Sequence, residues 1–100
     1  LVMIVWSDWA LRQLEEIHAF YATEANTEVA DRIITSILET TRLLEQFPFG
    51  GPIEPWLDHV GQGHRRVVVG HYKVIYQVVE DTLRIVDVFD SRQDPERMKV

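Results

Sequence analysis

The chain contains no cysteine. Disulfide staples and thiolate metal sites are therefore excluded, and the absence fits a reducing, cytoplasmic setting. No apolar run approaches the roughly 18–20 residues that a membrane span needs. The opening LVMIVW lacks the basic start of a secretory signal. It reads as a first strand, with Met3 a candidate start residue behind Leu1 and Val2. Serines are few, and none of Ser7, Ser36 and Ser91 sits in a GxSxG elbow. Gly50-Gly51 and Gly61/Gly63 lack the strand–loop–helix context of a phosphate loop. His18, His59, His64 and His71 show neither HxxxH nor HxH spacing, so no metal or cofactor is expected. Basic residues are outnumbered, 10 against 16 acidic, and the net charge of −6 argues against strong direct binding to DNA or RNA.

What is present fits one domain over residues 1–100. The composition is 46% hydrophobic and 26% charged, a globular profile. The charge is uneven. Residues 1–50 hold three basic and eight acidic residues, and residues 51–100 hold seven and eight. A locally positive face can therefore form only in the second half.

Val2 to Trp6 is apolar and partly β-branched, which predicts a buried strand. Ser7 can cap a helix over residues 8–23, with Asp8 in its first turn. Ala10, Leu14, Ile17 and Tyr21 fall at helical spacing there. Asn26 or Thr27 opens a second helix. Its stripe Val29, Ala30, Ile33, Ile34, Ile37, Leu38, Leu44 and Phe47 ends before Pro48. Residues 49–63 form a long loop with two prolines and four glycines; such loops are often functional or mobile. Three strands follow, His64–Val69, Tyr72–Val79 and Thr82–Phe89, joined by turns at Gly70-His71 and Glu80-Asp81. Turns this short make neighbours antiparallel. The predicted fold is α+β, in the order β-αα-βββ, with an antiparallel sheet and a helical hairpin packed on one face. The other face is expected to be largely free.

The second half carries a surplus of polar side chains at strand spacing. Arg65, Arg66, Lys73, Arg84 and Arg92 are candidate phosphate or carboxylate binders, because arginine offers a planar fork of donors. Arg65 and Arg66 must point to opposite faces. The plainer reading is a solvated sheet face with acid partners such as Glu80, Asp81 and Asp87. Tyr72 and Tyr76 share one face. They suit base stacking or proton donation, or more plainly a core with satisfied hydroxyls. His64 and His71 have acid–base potential near pH 7, against a plainer role at strand ends. Trp9, Phe20, Tyr21 and Trp56 are candidate docking anchors if exposed, although Trp9 and Phe20 are expected to pack inward.

The phrase RRVVVGHYKVIYQVVEDTLRIVDVFDSRQDP, Arg65 to Pro95, resembles the C-terminal half of the RelE/ParE toxin superfamily. The features that carry the resemblance are R-x-x-x-x-G-x-Y-[RK]-[VI]-[IV]-Y over Arg65–Tyr76, the acidic turn at Glu80-Asp81 and the SRQDP ending. The preceding strand, helical hairpin and loop fit that family's layout. The resemblance implies a growth-inhibiting toxin of a type II toxin–antitoxin pair, of the kind tied to plasmid stabilisation and neutralised by a cognate antitoxin protein. RelE-like members cut mRNA on the ribosome, whereas ParE-like members poison DNA gyrase.

Carried over by position, RelE-type catalytic groups correspond to Arg66, Lys73 and Arg92, with His64 where another base often stands. No Tyr or His follows Tyr76, so the late acid–base residue of such nucleases is missing. A nuclease must also stabilise charge built up at phosphate, and this chain is acidic. The resemblance therefore favours the ParE-like branch and a non-enzymatic toxin. The alternatives are a ribosome-dependent endoribonuclease and a non-toxic, antitoxin-binding regulatory module. Tyr72, Trp56 and Arg65 are the expected contacts to target or antitoxin. The antitoxin is expected to lay an amphipathic segment on the helical hairpin or the sheet edge.

Overall fold

The computed structural model describes residues 2–100, so Leu1 lies outside the described residues. The first strand, β1, spans Met3–Trp6. It pairs in parallel with the last strand, β4 (Thr82–Asp90), from Met3 opposite Thr82 to Trp6 opposite Ile85. β2 (Arg65–Val69) and β3 (Tyr72–Val79) complete a sheet of order β1-β4-β3-β2, in which β2–β3 and β3–β4 are antiparallel. The expected antiparallel sheet thus gains one parallel edge. That edge position corrects the expectation of a buried first strand. Only Ile4 and Trp6 turn toward the helices, while Met3 and Val5 are exposed.

Helix α1 runs Asp8–Glu24, and the Ser7 hydroxyl accepts from the Ala10 amide at 3.0 Å. Helix α2 runs Thr27–Leu43, capped by Asn26, whose side chain accepts from the Val29 amide at 2.8 Å. α2 stops short of Pro48. Leu44, Glu45 and Gln46 instead donate to carbonyls three residues back. The Thr40 and Thr41 hydroxyls donate to the carbonyls of Ser36 and Leu38, which weakens regular helix there. Phe47 consequently leaves the stripe and is exposed. Phe20 is exposed as well, against expectation. Ala10, Leu14, Ile17 and half-buried Tyr21 fill the face of α1 turned to the sheet, and Phe20 falls beside that stripe.

The hairpin covers one face of the sheet over a core that includes Leu14, Ile37, Tyr72, Val74, Tyr76 and Ile85. The opposite face is not free. Leu57 from the loop and Met98 from the C-terminal segment close a second small core over Ile75, Val86 and Phe89. A bulge in β4 serves it: Ile75 faces Asp87 and Tyr76 faces Ile85, so Val86 is an extra residue. Such a bulge re-aims side chains along a strand. Asp87 is buried and accepts the Trp9 indole N–H at 2.9 Å and the Lys99 amide at 3.1 Å. It therefore joins α1 to the C-terminal segment. It is not the solvated partner of a basic strand that the sequence suggests. Burial pushes its carboxyl above the usual range, against the pull of those donors.

The β3–β4 turn holds Glu80 at φ 55°, which is costly for a residue with a Cβ. Replacing Glu80 with glycine is expected to raise stability by about 0.5–1 kcal/mol, read as a higher urea midpoint at unchanged slope. An unchanged or lower midpoint would mean that the turn tolerates the side chain.

Candidate functional site

The long loop is seated against β2 and β3 by a ladder of specific bonds. Ile53 bridges Arg65, the Arg66 amide donates to the Pro52 carbonyl at 3.0 Å, and the Glu54 amide donates to the His64 carbonyl at 2.8 Å. Gly51 is wedged at the turn into this ladder, and its amide donates to the Tyr76 hydroxyl at 2.9 Å. Pro55–Val60 then winds into a short 3₁₀ turn capped by Glu54, whose Oε2 accepts from the Trp56 amide at 3.1 Å. Gly61, at φ 73°, ends the turn in the left-handed region.

Most of the residues singled out by sequence fall into three groups. The first is a buried ionic clasp. Glu54 is wholly buried. Its Oε1 stands 2.8 Å from the Lys73 ammonium and 3.9 Å from the Arg66 Nε. Arg66 also donates through Nη1 to the Ile53 carbonyl at 2.8 Å. Lys73 and Arg66 are thus brought together as the sequence suggests, but around an internal carboxylate. Sequence reasoning missed Glu54. The available signal was a single acid in an otherwise apolar loop (Pro52-Ile53-Glu54-Pro55-Trp56), facing a cationic surplus.

His64 belongs beside this clasp and is itself buried. Its Nδ1 meets no hydrogen-bonding partner among the described residues. Desolvation pulls its pKa below 6.5, so the fold favours the neutral ring. The unfolded chain binds the proton more readily. The stability His64 contributes is therefore whole above about pH 6.5 and is lost as pH falls through the lower folded value. Urea midpoints measured between pH 7.5 and 5 should fall with acid in the native chain, and less steeply in His64→Phe. Equal slopes would place the titration elsewhere.

The second group holds the loop from the helix side. Arg65 donates to the Gly51 carbonyl at 2.7 Å and lies 5.1 Å over the Phe49 ring. Arg65 and Arg66 do point to opposite faces, as alternation requires. Tyr72 and Tyr76 are both core residues. Tyr72 is 7% exposed and its hydroxyl donates to Tyr21 at 3.3 Å. Burial is the main force pushing both phenols upward. Tyr72, expected as a docking contact, lies on the face of β3 that α1 and α2 cover and reaches the surface only at the rim of the clefts beside α1.

The third group lies at the C-terminal end of β4. Arg92 forms a fork with Asp90, Nε to Oδ1 at 3.0 Å and Nη2 to Oδ2 at 2.8 Å. The pair holds the Asp90 carboxyl below its usual range and the guanidinium above its own. Arg92 is exposed and belongs to a cleft of about 280 Å³ between α1 and the C-terminal segment, apart from the Glu54 clasp. Trp56 is 52% exposed. It lines a groove of about 560 Å³ with Val60, Met98 and Val100. Among the described residues no cluster of three or more potential metal ligands occurs, and no helix is long and apolar enough to cross a membrane.

This arrangement presents an aromatic side chain on a hydrogen-bonded loop and pairs Arg66, Lys73 and Arg92 with carboxylates. Among solved structures, the chain is similar to one described as the chromosomal ParDE TA system from P. aeruginosa. The TM-score is 0.76 at 19% identity, over 89% of this chain and 95% of that one, a likeness of fold. No curated protein matches in sequence. A family model described as "ParE toxin of type II toxin-antitoxin system, parDE" matches residues 4–95. With nearly the whole helical hairpin and sheet inside that match, the chain belongs to the ParE toxin family of type II toxin–antitoxin systems.

Proposed function

We propose that this ParE-family chain acts in the cytoplasm by binding a protein target such as DNA gyrase, and that a cognate antitoxin neutralises it. The observation that carries this reading is the state of the groups RNA cleavage would need. Lys73 and Arg66 are engaged by buried Glu54, Arg92 by Asp90, and His64 is shut from solvent. A phosphoryl-transfer site needs donors free to meet developing charge. A protein-binding site instead needs exposed aromatic anchors on a stable scaffold, which Trp56 on its capped turn supplies.

The test is controlled expression without the antitoxin, paired with a supercoiling assay on purified gyrase. Growth arrest with DNA-damage signalling and inhibited supercoiling is expected. Trp56→Ala should weaken inhibition at least tenfold, as expected for an anchor worth about 1.4 kcal/mol or more. Cleaved mRNA with intact DNA would mark a ribosome-dependent nuclease. Harmless expression with retained antitoxin binding would mark a regulatory module.

A further inference from the structure

Lys73 and Arg66 reach Glu54 from neighbouring strands β3 and β2. Their side chains keep 20% and 26% of their exposure, while Glu54 keeps none. The two cations therefore border solvent on one side and a buried carboxylate on the other. An ammonium beside a guanidinium is the donor set by which proteins hold an external oxyanion. Here that place is taken by the chain's own carboxylate, fixed by the loop ladder and by the Trp56 amide on its second oxygen. A tethered group competes at an effective concentration that a dilute external anion does not reach.

We propose that Glu54 is an internal anion that denies Lys73 and Arg66 to external phosphate, and so sets the specificity of this sheet face against nucleic acid. The inference deepens the reading of that face as unused for RNA, but its test needs no gyrase. Removing the carboxylate leaves two cations next to a small void that borders solvent, and an oxyanion should fill it.

Thermal midpoints would be followed against inorganic phosphate at constant ionic strength. The proteins are the native chain, Glu54→Gln, Glu54→Ala, and Glu54→Ala combined with Lys73→Met. The native chain and the double variant should show the same shallow, non-saturating response. Glu54→Ala should show a saturable rise, roughly 10 °C or more at about 100 times the dissociation constant, whereas Glu54→Gln, whose amide still fills the space, should show a much smaller one. A short single-stranded RNA should bind Glu54→Ala and compete with phosphate. If Glu54→Ala is unfolded in plain buffer, phosphate or formate should restore its circular dichroism.

Three results would overturn the proposal: a saturable phosphate response in the native chain as large as that of Glu54→Ala, a folded Glu54→Ala indifferent to phosphate, or an unfolded one that no anion restores. Gyrase inhibition scored on the native chain separates the two readings. A phosphate-responsive Glu54→Ala beside an inert native chain sinks only the target. An indifferent Glu54→Ala beside an inhibitory native chain sinks only the internal anion.

Discussion

Glu54→Ala is expected to cost about 3–5 kcal/mol of stability, because it strips a buried ion pair of one partner and leaves the other charge uncompensated. The native chain should hold only about 5–15 kcal/mol in all, so this is a large share. The cost has two sources. Lys73 loses its acceptor at 2.8 Å, and the Trp56 amide loses the cap that starts the 3₁₀ turn. Glu54→Gln keeps one acceptor oxygen, for either Lys73 or the Trp56 amide, and should cost less than Glu54→Ala. Glu54→Ala combined with Lys73→Met should recover part of the loss, since the closer of the two cations is gone and Arg66 keeps its bond to the Ile53 carbonyl. Urea unfolding of the four proteins, the native chain included, reads this directly. A Glu54→Ala cost under about 1 kcal/mol would mean that the clasp is hydrated and behaves as a surface pair.

Gly51→Ala should be comparably damaging for a different reason. A Cβ at Gly51 would sit 2.4 Å from the Arg66 carbonyl oxygen and 2.7 Å from the Tyr76 hydroxyl. The first obstacle is strand backbone and cannot rotate away. The loop must move off β2, which breaks the Gly51–Tyr76 bond and strains the Arg65 clasp. Overpacking of this kind costs about 3 kcal/mol or more when the backbone has to yield. Tyr76→Phe removes the softer obstacle only, so the double variant should stay destabilised. Amide exchange gives a second readout. Protection at Arg66 and Glu54, whose amides donate within the ladder, should drop in Gly51→Ala while the amides of central β3 keep theirs. Uniform loss across the sheet would mean that loop and sheet open together.

These two residues mark what the sequence left illegible. Periodicity and capping chemistry expose the helices, because Ser7 and Asn26 act on amides three residues away. Alternation exposes β2, β3 and the split between Arg65 and Arg66. Local rules fail at the loop. Gly51 adopts no left-handed backbone that would require glycine; its constraint is crowding by Arg66 and Tyr76, which no spacing rule registers. Glu54 looks like an ordinary loop acid until β3 brings Lys73 under it. The bulge at Val86 is equally silent, since it depends on register against β3.

The sequence by itself determined the element order, the faces of β2 and β3 and the toxin superfamily, because each is encoded in local, contiguous sequence. Tertiary structure alone decided that β1 lies parallel at an edge, that the far face carries a second core, and that the basic residues are clasped from within. The physical reason is range. Propensity and periodicity act within a turn or a strand, whereas Glu54 with Lys73, and Asp87 with Trp9, lie 19 and 78 residues apart and meet only on folding.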